Sequence, residues 1–176
     1  MKARYLLVAL AALSCSDSSP VGVARDSRPR ADLLVYDPFD PPSFPPPQVG
    51  LLICTPVASD SVTQTIGPEG GTIQVAAHIL WVPPGALNTA VSITAVAPSD
   101  TVNRVRFQPE GLTFQQPAAL VMNYANCDLL GSTLPKKIAY TTDALQILEY
   151  LPSLDDLGSQ TVRGWVRHFS DYAIAW

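Results

Sequence analysis

The sequence predicts an all-β fold, an antiparallel β-sandwich, and three observations carry that expectation. Past residue 50, apolar residues recur at every second position, as where Val91, Ile93 and Ala95 alternate with Ser92 and Thr94. Short apolar runs are separated at close intervals by Gly/Pro turns: Gly67-Pro68-Glu69-Gly70-Gly71, Pro83-Pro84-Gly85, Pro98-Ser99-Asp100 and Pro109-Glu110-Gly111. With 47% hydrophobic and 15% charged residues, 17 Pro and 10 Gly in 176, the composition excludes a coiled coil and a wholly disordered chain. Many short strands joined this way make a sandwich or a barrel, and the length suits one such domain.

Residues 1–14 are expected to be a leader rather than part of that domain. Lys2 and Arg4 precede the unbroken apolar run from Leu6 to Leu13, too short for the roughly 20 residues a spanning helix needs. The run ends in Ala12-Leu13-Ser14-Cys15, which resembles the lipobox of bacterial lipoproteins and implies that Cys15 becomes the lipidated first residue. An ordinary signal peptide, cut near Ala11 or Ser14 and leaving Cys15 free, is the alternative. By the same resemblance, Ser16 after the Cys favours the outer membrane, so a cell-envelope protein held at a bilayer by its acyl chains is expected.

Residues 15–50 read as a disordered Ser/Pro-rich tether. Pro38, Pro41, Pro42, Pro45, Pro46 and Pro47 crowd one stretch, where fixed φ and missing backbone donors favour extended polyproline II over a sheet ladder. A spacer is the expectation here, ahead of a recognition motif anchored on Phe39 and Phe44.

The domain itself is assigned to 51–176. Expected strands are 61–66, 72–76, 79–82, 91–95, 103–107, 120–124, 137–141, 146–151, 161–169 and 172–176. Along one of them Leu120, Met122 and Tyr124 alternate with Val121 and Asn123. Leu145 and Leu148 would share a face of a helix over 143–151, but a hairpin turning at Thr142-Asp143-Ala144 fits the preceding strand better. Leu112 and Phe114 are expected to plug the sandwich from a short strand, and Pro117 to mark a strand edge or start. Cys54 and Cys127 form an even pair in an exported chain, which favours a disulfide over two buried thiols.

Four segments then carry a family likeness. Ile66-Gly67-Pro68-Glu69-Gly70-Gly71-Thr72, Leu80-Trp81-Val82-Pro83-Pro84-Gly85-Ala86-Leu87, Phe107-Gln108-Pro109-Glu110-Gly111-Leu112-Thr113-Phe114 and His168-Phe169-Ser170-Asp171-Tyr172 follow the order seen in ZU-five domains. Over about 66–176 the chain resembles that family, named for zonula occludens proteins and the netrin receptor and found also in ankyrins and exported bacterial proteins. The resemblance implies a β-sandwich whose usual work is protein interaction. It names no ligand, and a protein or glycan partner is expected.

The resemblance also implies one possible reaction. Some ZU-five proteins with a late His-Phe-Ser triplet cleave themselves between Phe and Ser, and His168, Phe169 and Ser170 match it. There the Ser170 hydroxyl would attack the Phe169 carbonyl, His168 would take the proton, and water would hydrolyse the ester. The plainer reading, preferred here, places Phe169 in the core, Ser170-Asp171 in the turn to the last strand and His168 on a strand face. Cleavage would leave 170–176 as a single-strand fragment with nothing to release.

No other catalytic or cofactor motif stands out. The chain lacks a phosphate-cradling loop and a nucleophile elbow, and its only His residues are His78 and His168. Asp155-Asp156 near Gly158 is expected to be a solvated turn, since the alternating carboxylates of a calcium loop are missing. A net charge of −4, with 11 Lys and Arg that do not cluster, argues against a nucleic-acid partner. Trp81, Trp165 and Trp176 are expected in the core or as cross-strand partners rather than on a sugar- or peptide-binding face. A noncatalytic interaction module without cofactor or metal is the outcome, with self-cleavage as the alternative.

Overall fold

A computed structural model describes residues 50–176, which form β1 (Asp60–Ile66), β2 (Gly71–Val75), β3 (His78–Val82), β4 (Val91–Ala97), β5 (Arg104–Gln108), β6 (Thr113–Asn123), β7 (Lys137–Thr141), β8 (Ile147–Tyr150), β9 (Ser153–Asp156), β10 (Thr161–His168) and β11 (Asp171–Ala175). The leader, Cys15 and the tether up to residue 49 lie outside the described residues. Two sheets, one ordered β1-β4-β5-β11-β7-β8 and the other β2-β3-β6-β10-β9, are antiparallel throughout and pack into a sandwich. Ile93, Val105, Phe107 and Ile174 of the first sheet share its core with Ile73, Leu80, Leu120 and Val166 of the second. Each such burial contributes about 1.5–3 kcal/mol.

Alternation does most of the folding work. In β3 the inward His78, Leu80 and Val82 are buried and the outward Ile79 and Trp81 exposed; β10 buries Val162, Gly164 and Val166 the same way. Gly164 has a steric reason. A Cβ there would sit 3.1 Å from Ile138 Cδ1 of β7, so the missing side chain lets the sheets approach.

The turn motifs lock onto one another. Gly70, at φ +76°, would place a Cβ 2.4 Å from the Val82 carbonyl oxygen, so only glycine fits the close pass between the first turn and the end of β3. Gly85 N–H donates to the Pro68 carbonyl at 2.7 Å, joining Gly67–Gly71 to the Pro83-Pro84-Gly85 turn.

The segment leading into the sandwich is tied down by a disulfide between Cys54 and Cys127. Beside it, Asn103 Nδ2 donates to Asn126 Oδ1 at 2.6 Å and to the Asn123 carbonyl at 3.0 Å, while Asn126 Nδ2 donates to the Thr55 carbonyl at 2.7 Å. Leu52 N–H donates to the Ile174 carbonyl and Leu51 bridges to Ala175, so the lead-in segment pairs with the end of β11 beyond its pairing with β5.

Three expectations are corrected. Phe114 is buried, but it opens the long β6 rather than a short strand of its own, and Leu112 packs on the core from the turn before it. Pro117 lies inside β6, a central strand, because the β6–β10 register shifts between Val166 and His168 and β3 ends at Val82; the ladder is broken where proline lacks its donor. Asp155 and Asp156 belong to edge strand β9 instead of a turn. The Tyr124 hydroxyl donates to Asp155 Oδ1 at 2.7 Å and Lys136 N–H to its Oδ2 at 2.9 Å, and these long-range bonds hold the strand in place. The 137–151 segment is the expected hairpin, β7 pairing with β8 around a loop in which Leu145 takes a positive φ.

Candidate functional site

The outer face of the five-stranded sheet presents an unusual surface. Register places Thr72, Trp81, Ala119 and Trp165 in one row across β2, β3, β6 and β10, and Gln74, Ile79, Val121, Arg163 and Leu154 in the next. Trp81 is 48% exposed and Trp165 41%, with the small Ala119 between them. Two strand spacings of about 4.8 Å put the tryptophan backbones about 10 Å apart. The rings therefore flank an open trough of about 420 Å³ whose floor is Ala119 and Val121 and whose side is Arg163. A smaller hollow of about 160 Å³ adjoins it past Val121 and Arg163, toward Asp156 and Thr161.

Alternation along β10 sets Arg163 and Trp165 on this face, and the exposed Arg167 follows at the irregularity before His168. Among the described residues no carboxylate is ion-paired with either arginine, whereas Arg104 pairs with Asp100 and Arg106 with Asp143 and Asp171. Planar rings and guanidinium groups on a rigid sheet can stack on a flat ligand and pair with its negative charge.

Of the two placements expected, core or cross-strand, Trp81 and Trp165 take the second, opposite Thr72 and Ala119 on the exposed face. Trp176 takes the first, 9% exposed, with the buried Lys136 ammonium 4.1 Å from its ring centroid. Burial holds the Lys136 amine below its usual range, against the pull of Asp155. Lys136 Nζ also donates to the Leu134 carbonyl, so its charge is satisfied inside the fold.

His168, Phe169 and Ser170 occupy the crossover between the sheets, since β10 ends at His168 and β11 starts at Asp171. Phe169 is buried between Phe107 of β5 and Phe114 of β6, with ring centroids 5.4 and 5.0 Å away. The Phe169 carbonyl accepts from Gly111 N–H at 3.0 Å. The His168 ring is T-shaped to Tyr140 at 5.0 Å and tilted against Tyr172 at 6.1 Å, and the Tyr172 hydroxyl donates to the His168 carbonyl at 2.6 Å. Burial pushes the Tyr172 hydroxyl well above its ordinary pKa, so it stays a donor. Ser170 instead lines a cleft of about 100 Å³ with Arg106, Asp143 and Asp171. Burial raises the Asp171 carboxyl, opposed by its bond from Arg106 Nε at 2.8 Å. Among the described residues the non-glycine positive φ angles fall at Ala76, Leu130, Leu145 and Gln160, away from the Phe169–Ser170 bond.

Cys15 lies outside the described residues, and Cys54 and Cys127 are bonded to each other. Among the described residues no group of three His, Cys, Asp or Glu side chains is placed to hold a metal ion. The fold and the aromatic face define an all-β sandwich with an exposed, stacking-competent sheet. No family model matches the chain, and no curated protein matches it.

Proposed function

We propose that this chain is an exported, lipid-anchored, noncatalytic interaction module of the cell envelope, a ZU-five-like sandwich that binds a protein or glycan on the outer face of its five-stranded sheet. The observation that carries the binding role is the Trp81–Ala119–Trp165 row, a contiguous aromatic surface left to solvent. Exposing two indoles forgoes their burial, and a bound partner restores it. Anchoring rests on the sequence: acyl chains on Cys15 would hold the module at the membrane and the Pro-rich stretch would hold it off the surface.

Self-cleavage at Phe169–Ser170 is the second reading, and the Gly111 N–H on the Phe169 carbonyl favours it, because that donor would stabilise an oxyanion. Against it, His168 is engaged with Tyr140 and Tyr172, and no hydrogen bond among the described residues joins it to Ser170.

Intact mass of the protein recovered from an envelope fraction tests both. The expected species begins at Cys15, carries the added mass of acyl chains and retains residues 170–176. An unmodified Cys15 would remove the anchor, and loss of 170–176 that Ser170→Ala abolishes would establish the second reading in place of the first.

A further inference from the structure

We infer that the tryptophan face takes an acidic polysaccharide, with sugar rings stacked on Trp81 and Trp165 and carboxylate or sulfate groups paired to Arg163 and Arg167; this rests on the binding role proposed above. Two features of the face have to be matched at once. The first is its flatness. Trp81 and Trp165 lie in one row with only Ala119 between them, so the ligand must offer flat apolar patches repeating at about 10 Å along a line across the strands. The C–H faces of every second pyranose ring in an extended polysaccharide do so, and stacking on indole buries them while their hydroxyls stay in water.

The second is charge. The chain carries a net −4, yet Arg163 lines the trough and the exposed Arg167 lies two residues past Trp165, neither ion-paired among the described residues, while Asp156 lies in the adjoining hollow. A neutral ligand leaves both guanidinium groups without a role, and an anionic repeat supplies each with an acceptor it can hold by two hydrogen bonds.

Peptides fit less well. The backbone donors and acceptors of β3, β6 and β10 are consumed in their ladders, so an extended peptide laid across the face would bury its own polar groups against indole. A proline-rich peptide escapes that cost because its backbone stays solvated, but it leaves the arginines unmatched.

The test uses the full chain and three acidic probes, an oligogalacturonate, an alginate oligomer and a heparin-derived oligomer, followed by tryptophan fluorescence and calorimetry. Fully methyl-esterified oligogalacturonate and decaproline serve as comparisons. At least one acidic probe is expected to bind, with affinity falling as salt is raised. Trp165→Ala and Arg163→Gln should each weaken it by about tenfold or more, while circular dichroism stays unchanged. Equal binding of the esterified probe, or indifference to Arg163→Gln, overturns the charge requirement and with it the inference. Failure of all three acidic probes at millimolar concentration also overturns it. Should decaproline bind instead, this inference fails while the binding role of the face survives. That broader role fails separately if cross-linking in envelope fractions yields the same adducts from the intact chain and from Trp81→Ala/Trp165→Ala.

Discussion

His78 is buried at the start of β3, where its Nδ1 accepts the Asn123 N–H at 3.2 Å and ties β3 to β6. Desolvation lowers its pKa from 6.5 to about 4, so the folded chain holds a neutral imidazole. The unfolded chain takes up a proton below pH 6.5 that the folded chain refuses until about pH 4. This contribution is therefore complete above pH 6.5 and is lost as pH falls through that window, amounting to about 3 kcal/mol by pH 4. Urea unfolding at pH 7 and pH 4.5 should show the drop, and His78→Gln, which keeps an acceptor for Asn123, should flatten it; equal slopes in the two proteins would refute the assignment. Which residues share a face was legible at this scale, but which face turns inward was not. In β3 both faces are apolar, His78, Leu80 and Val82 against Ile79 and Trp81, so a period of two cannot choose between them. Only pairing with β6, whose Leu120 and Met122 must face the core, turns Trp81 outward.

Among the elements, β10 and β7 come from opposite sheets and meet at Gly164 and Ile138. Gly164→Val should cost about 1–3 kcal/mol, because the added side chain must push Ile138 from a packed core. A midpoint shift in urea without change in the slope would measure it, and a neutral effect would mean that the sheets can part freely. Gly164→Ala, with less to accommodate, should fall between. Strands with one apolar and one polar face, such as β4, were legible from their residues alone. β9 was not, since Asp155 and Asp156 near Gly158 read locally as a turn and the strand is held by Tyr124 and Lys136, distant in sequence. Pro117 misled for a related reason: the register shift that tolerates it belongs to the β6–β10 pair, and neither strand shows it alone.

For the whole molecule, the Cys54–Cys127 bond closes a loop with a sequence separation of 73. Reduction should therefore lower stability by about 4 kcal/mol through the greater freedom of the unfolded chain. Thermal melts with and without reductant would show it, and a Cys54→Ala/Cys127→Ala variant should melt with the reduced protein. Unchanged melting on reduction would show that the Asn103–Asn126 bonds alone suffice to hold the lead-in segment. The pairing was readable from cysteine count and export signals, but the asparagine bonds were not, because side-chain partners 23 residues apart leave no local pattern.

Among the described residues β11 follows the ten other strands, yet it stands between β5 and β7, in the middle of the six-stranded sheet. Until residues 171–175 have left the ribosome, β1-β4-β5 and β7-β8 lack the strand that joins them into one sheet. A nascent chain in that condition cannot complete its architecture prematurely. The order of the strands itself delays closure until synthesis has passed β11.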